Sequence, residues 1–459
     1  MIALSAMLVL AFAGCSKKDG STSSNKASGN GEYSKLKVQK NPATKKAWNF
    51  GGMEAIIYDY WTGPEPRQPS NKAEEDQAAY RAYLEQTYNF TCKQIGGGWN
   101  EHPTDVANYC IAADDSEARI FIIDARSAIP GYQQGLWADV SNVPGINWDD
   151  PKWNKAVNSV IPGYTFSALM TEPRAAIFFN KRILKENGFD PEEPYNLQRD
   201  GKWTWETFEE MCAALTKDTD NDGIIDQYAM SCFNSEFIMP ALIGNGTSLV
   251  KTDSNGKYVL NTDDRVMETL TWAMHMFDNY QIPENGRQWD YYKSGFVDGT
   301  AAFMADQEYQ AEKGQMLQDM KDEWGMVCWP VGPNAPEGMK PFTTSQDNMD
   351  VIPAFYSQDK INKLMKIYDL WTDTVPGYED GEAWKEGKYS LFSDTRAVDE
   401  TYELMLENSY GFIEWLIPKF KETYAQLTWS WKDTPYETPQ QSVERVGNQL
   451  QAYLDDLNK

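Results

Sequence analysis

Residues 118–124 read ARIFIID, with Ile120, Phe121, Ile122 and Ile123 unbroken between an arginine and an aspartate. An apolar run this short, closed by charges, predicts a strand covered on both faces rather than the alternating strand of a half-wet sheet. Upstream, residues 55–58 (AIIY) and 90–95 read as strands, and Gly96-Gly97-Gly98 ends the second. Between them Tyr80, Tyr83, Leu84 and Thr87 recur at helical spacing, with Ser70 placed to cap that helix. A further helix spans 104–112. Strand, helix, strand, helix, strand predicts a parallel sheet with helices on both faces, the α/β class.

Downstream the pattern restarts. Residues 175–180 (AAIFFN) form a strand, and Thr204 caps a helix with Phe208, Met211, Cys212 and Leu215 on one face. Phe303 and Met304 lie in a short strand, and 326–331 (MVCWPV) in another. Trp203 and Trp205 read as core residues at a helix start. The last helix is signposted by Thr438 as cap, Pro439 at its first position and Gln441 completing a capping box. Its apolar face is Val443, Val446, Leu450, Tyr453, Leu454 and Leu457. A chain of 459 residues exceeds one compact core, so two lobes are expected.

The formal net charge of -26 repels phosphate backbones, and no basic run offsets it, so nucleic acid is excluded as a partner. With 17 Trp and 25 Tyr, the chain is rich in flat apolar faces with polar tips, which suit a ligand site as well as a core. Only two histidines exist, His102 and His275, far apart in sequence, which leaves a histidine zinc site or a Ser-His-Asp triad almost nothing to work with. His275 reads as a helix-face residue. Beyond Cys15 the cysteines number five, with no CxxC pair, and are expected as buried thiols.

Residues 2–13 (IALSAMLVLAFA) are apolar but too short to span a bilayer permanently. Ala13-Gly14-Cys15 follows, similar to a bacterial lipobox, with Phe12 where Leu is usual and no basic region ahead. Residues 1–15 are read as a signal peptide whose Cys15 is acylated, and a plain secretory signal is the alternative. Residues 16–46 are read as a flexible tether that holds a body off the membrane. The protein is therefore expected on the extracellular face of the bacterial cytoplasmic membrane, lipid-anchored and monomeric.

Several stretches resemble the extracellular solute-binding proteins of ABC transporters, in the carbohydrate-binding branch related to maltose-binding protein. They are TEPRAAIFFNKRILKENGFDP (171–191), GKWTWETFEEMCAALTKDTDNDGIIDQY (201–228), SGFVDGTAAFMADQEY (294–309) and TPQQSVERVGNQLQAYLDDLN (438–458). The resemblance implies a two-lobed periplasmic-binding-protein fold whose discontinuous lobes are joined by hinge strands and close over a sugar. The N-terminal lobe would hold 47–171 plus 345–393, and the C-terminal lobe 172–344 plus 394–459. Crossings would fall near 172–176 and 343–350. It also implies an ABC permease as partner and no catalysis.

Sugars offer C–H faces to aromatic rings and a rim of hydroxyls to carboxylates, amides and guanidinium groups. Ligand residues should lie just past strand ends. Asp59, Tyr60 and Trp61 follow the first strand. Asp124 and Arg126 follow ARIFIID, where the resemblance implies an acidic and a basic contact; a structural ion pair explains them nearly as well. Glu172 lies where the first crossing of the family presents a carboxylate, and pairing with Arg174 fits equally. Asn234 and Glu236 match a polar sugar-contacting stretch, and Gln307 and Tyr309 follow the AAFM strand beside Glu308. Trp429 and Trp431, in LTWSW, point to one side if extended and separate if helical.

Residues 217–228 (KDTDNDGIIDQY) place Asp218, Asp220, Asp222 and Asp226 at offsets 1, 3, 5 and 9, with Gly223 at 6. Ile224 adds a backbone carbonyl at offset 7, but Ala229 stands at 12, where a calcium sensor carries glutamate. A structural Ca2+ is expected, with a solvated acidic turn as the alternative. The function expected is capture of a carbohydrate, an oligosaccharide, in a cleft between the lobes for delivery to a permease. A secreted glycoside hydrolase using Glu172 and Glu236, or a binder of another solute, is the competing reading.

Overall fold

Three strands of like direction lie side by side, two with apolar centres and the middle one in sequence alternating buried and exposed, with a helix between each to return the chain. In the computed structural model these are β1 (Met53–Asp59), β2 (Phe90–Gly96) and β3 (Ala118–Ile123). β1 pairs in parallel with both others, Ile57 opposite Gln94 on one side and Ile120 on the other. The structure describes residues 33–458 except 64–68, 70, 155–157, 159–164, 166, 168, 170–172, 284–290, 313, 346–347, 379–383, 393 and 430–436.

The chain divides into two compact units, Met1–Met170 with Asp347–Gly387 and Thr171–Gln346 with Lys388–Lys459. In the first, the strand Met349–Val351 joins the sheet antiparallel to β3, so the order is Met349–Val351, β3, β1, β2. The parallel sheet expected there is therefore completed by a strand from far along the chain. Its core packs Ile57, Ile120 and Cys92 against Leu84 of helix Lys72–Tyr88 and Leu364 and Tyr368 of helix Gln358–Trp371. Ser70 lies outside the described residues, and the cap of helix Lys72–Tyr88 is Asn71, whose Oδ1 accepts from the Glu74 backbone at 3.0 Å. Residues 33–46, expected in the tether, pack on this unit instead. Tyr33 is buried against Tyr80, and the Gln39 backbone N–H donates to the Tyr88 hydroxyl at 2.9 Å.

The second unit holds β4 (Ala175–Asn180) and β5 (Tyr228–Met230), with strands Ala301–Gln307 and Trp324–Val327. The order is β5, Ala301–Gln307, β4, Trp324–Val327. Here β4 runs antiparallel to both neighbours, and only β5 is parallel to its partner. The restarted parallel pattern is thus corrected to a mixed sheet. A strand covered on both faces is continuously apolar whichever way its neighbour runs, so AAIFFN carries no direction. The strand expected over 326–331 ends at Val327, ahead of Pro330, which has no N–H to donate.

Helix Trp205–Leu215 begins at Thr204 in a capping box with Thr207 and buries Trp205, Phe208, Met211, Cys212 and Leu215. Trp203 is wholly buried and donates its indole N–H to the Cys328 carbonyl at 2.8 Å. Helix Pro439–Leu457 starts with the expected Thr438–Gln441 capping box and buries Val443, Val446, Leu450 and Leu454. Cys92, Cys110, Cys212, Cys232 and Cys328 are buried free thiols. Among the described residues no helix is long and apolar enough to cross a membrane.

Candidate functional site

In the first unit the carboxyl ends of β1, β2 and β3 gather an aromatic cluster with a charged edge. Asp59 closes β1 and is wholly buried. Its Oδ1 accepts from the backbone N–H groups of Trp61 (2.9 Å) and Thr62 (2.7 Å). Its Oδ2 accepts from Thr62 Oγ1 at 2.6 Å and from Gln94 Nε2. Both oxygens are used, so Asp59 shapes the turn that presents Tyr60 and Trp61 rather than offering its carboxylate to a ligand. Gly96 is required opposite this turn, because a Cβ there would collide with the Thr62 backbone.

Tyr60 is the hub. Its ring stands nearly perpendicular to Trp61 (4.8 Å), Trp99 (4.7 Å) and His102 (5.4 Å), and its hydroxyl donates to Asn348 Oδ1 at 2.6 Å. Trp99 is 37% exposed, and the Arg126 guanidinium lies 5.6 Å over its ring. Arg126 also donates to Asp124, Nε to Oδ1 at 2.7 Å and Nη2 to Oδ2 at 3.3 Å. The ion pair expected as an alternative is therefore present, and it aims a planar cation across an exposed indole. Trp61 Nε1 and His102 Nε2 are buried, with no hydrogen-bond partner among the described residues. Burial is the largest influence on His102 and lowers its pKa, so the ring is neutral near pH 7.

Trp99 and His102 were not singled out as ligand residues from the sequence. The rule that pointed to Asp59–Trp61 and Asp124–Arg126 applies equally after β2, where Gly96-Gly97-Gly98-Trp99 follows the strand. His275 is a surface residue, with Nε2 3.0 Å from Glu209 Oε1.

In the second unit, Asn234 and Glu236 sit half-buried in the first turn of helix Asn234–Gly244. Gln307 closes its strand and donates from Nε2 to Glu236 Oε2 at 3.4 Å. Tyr309 follows in the turn Glu308–Ala311, half-buried. Burial, then the charges of Asp306 and Glu236, push its hydroxyl pKa well up. Glu308, between them, is wholly buried and pairs with Lys388 at 3.0 Å. The structure thus brings Glu236 and Gln307 into contact and puts Tyr309 in the field of Asp306 and Glu236. Glu172 and Trp431 lie outside the described residues, as does the Trp429 side chain. The Trp429 backbone ends the helix Gln426–Trp429, so the extended placement expected for it does not hold.

The acidic loop closes as a hairpin at its base, where the Lys217 N–H donates to the Gln227 carbonyl at 2.9 Å. One carboxylate oxygen each from Asp218, Asp220 and Asp222 lies within 4.8 Å of the others. Asp218 accepts from the N–H groups of Gly223 (2.6 Å) and Asn221 (2.7 Å), and Gly223 leads the influences that lower its pKa. Asp226 stands apart, accepting from Thr219 Oγ1 at 2.8 Å on both oxygens. Strand β5 follows rather than an EF-hand exit helix. Three convergent carboxylates match the hard-oxygen ligation of calcium.

A family profile described as bacterial extracellular solute-binding protein matches residues 78–388. No curated protein matches the chain. Among solved structures, the cyclic α-maltosyl-1,6-maltose binding protein of Arthrobacter globiformis is 13% identical, with TM-score 0.63, over 88% of this chain and 100% of that one. An ABC substrate-binding protein of Listeria monocytogenes in complex with cycloalternan is 13% identical, with TM-score 0.58, covering 88% and 99%. The maltose/maltodextrin-binding domain from Bdellovibrio bacteriovorus bound to maltotriose is 13% identical, with TM-score 0.55, again covering 88% and 99%. At this identity the likeness is one of fold: two-lobed α/β.

Proposed function

The chain belongs to the bacterial extracellular solute-binding protein family, and we propose that its solute is a carbohydrate. The observation that carries this is the Tyr60–Trp61–Trp99–His102 cluster edged by Arg126 and Asp124. Rings stack on the C–H faces of a sugar, and the paired charges take hydroxyls from its rim. The buried Trp61 and His102 nitrogens suit a hydroxyl, which both accepts and donates. In the second unit Asn234, Glu236, Gln307 and Tyr309 supply further polar and aromatic contacts. The sugar is released unaltered to an ABC permease.

Calorimetric titration with cycloalternan, cyclic α-maltosyl-1,6-maltose and maltotriose tests this. A dissociation constant near micromolar, about −8 kcal/mol, is expected for at least one. No heat from any oligosaccharide, or reducing ends appearing during incubation, would sink the proposal.

Two further assignments belong to the same reading. Cys15 carries the lipid anchor, and mass spectrometry of the mature N-terminus from native membranes would show an acylated cysteine. An unmodified end would remove the anchor. Asp218, Asp220 and Asp222 hold a structural calcium, completed by the Ile224 carbonyl and, through water, Asp226. Calcium should raise the melting temperature and a chelator reverse it.

A further inference from the structure

We propose that Asp306 is a positioning residue of the binding surface on the second unit, and that the charge on its carboxyl sets how tightly that surface holds a saccharide. This rests on the carbohydrate reading above. Asp306 is the penultimate residue of strand Ala301–Gln307 and is only 4% exposed. Its Oδ1 accepts from the Gln307 backbone N–H at 2.7 Å and its Oδ2 from Gln310 Nε2 at 3.3 Å. The charge of the same carboxyl acts on the buried Tyr292 of helix Tyr291–Val297. Tyr292 in turn stacks on Phe233, centroids 5.5 Å apart, next to the helix that carries Asn234 and Glu236. One carboxyl therefore ties the strand end to the turn bearing Tyr309, with Tyr292 in its field.

The groups around it come from each packed element. Helix Tyr291–Val297 contributes Tyr292 and Lys293, helix Asn234–Gly244 contributes Glu236, and the turn contributes Tyr309 and Gln310. Arg174, ahead of β4, acts on Tyr309. Lys293 favours the charged carboxyl and Glu236 opposes it, but burial is the largest influence and pushes the pKa up to about 6. An ionised carboxylate accepts from both donors. A protonated one carries a hydrogen on one oxygen, which competes with the Gln310 amide there, so Gln310 loses its place and the field on Tyr292 falls. The surface should hold its ligand at neutral pH and loosen in acid.

The test measures the dissociation constant of the best binder among the three saccharides at pH 5.0 and 7.5, for wild type and Asp306→Asn. Expected is a weakening of about tenfold or more in wild type on acidification, against less than about twofold in the variant. The variant also separates Asp306 from His102, the histidine of the first unit's cluster, whose pKa burial lowers. Near-ultraviolet circular dichroism of unliganded wild type should show a tyrosine transition centred near pH 6, and this needs no variant to fold. A wild-type affinity flat across this range, a slope retained in Asp306→Asn, or no transition overturns the proposal. If wild type binds no saccharide at either pH while the transition is present, the carbohydrate reading fails and the titrating cluster stands.

Discussion

Tyr60 and Trp99 stand edge to face, ring centroids 4.7 Å apart at 80°, although one follows β1 and the other β2. The contact locks two loops into one aromatic surface and leaves Trp99 partly exposed beneath the Arg126 guanidinium. Trp99→Ala should lower saccharide affinity by roughly tenfold, about 1.4 kcal/mol, with little change in melting temperature. Calorimetry and thermal unfolding of one sample separate the two effects. Unchanged affinity would remove Trp99 from the ligand surface.

Trp203 tests the core of the second unit. It is wholly buried, packs against Phe208 at 5.5 Å and satisfies the Cys328 carbonyl. Trp203→Ala should destabilise that unit by about 3–5 kcal/mol, because it leaves a cavity and an unpaired acceptor. Denaturant unfolding followed by far-ultraviolet circular dichroism reads the loss.

Asp306 gives a pH dependence of stability with a defined sign. Its folded-state pKa lies above the ordinary value of 3.8, at about 6, so the folded chain binds the extra proton between those values. Stability is then greatest below this window, falls as pH rises through it, and carries the full penalty above it. That penalty is about 3 kcal/mol. Asp306→Asn should flatten the slope between pH 4 and 6 in melting-temperature measurements made without ligand.

The acidic loop separates its carboxylates. Asp220→Asn removes a member of the converging triad and should abolish the thermal shift produced by calcium. Asp226→Asn leaves the triad intact but loses acceptor strength towards Thr219. It should retain a calcium shift while lowering the melting temperature by a degree or two. Equal loss of the shift in both variants would place Asp226 among the direct ligands.

The elements that were legible in the sequence are those whose signals are local. Thr438, Pro439 and Gln441 act within one helical turn, and Gly96 answers to one neighbouring loop. ARIFIID and AAIFFN announced buried strands because burial on two faces removes alternation. Direction was not legible: the antiparallel setting of β4 depends on where the chain returns, not on β4 itself. The same limit explains the binding residues. Asp59 looked like a ligand contact beside Tyr60 and Trp61, yet four donors meet it, two of them in the adjacent Thr62 and one in Gln94 across the sheet. Trp99 went unnoticed because its partner, Tyr60, is about forty residues away.

The strand Met349–Val351 reaches β3 only after more than two hundred intervening residues have been made. A nascent chain halted before that point carries a parallel sheet with β3 as a bare rim, ready to pair with any extended segment. The early segments are therefore safest kept unfolded until the later strand has emerged. Truncations ending ahead of it should aggregate rather than yield a miniature of the first unit.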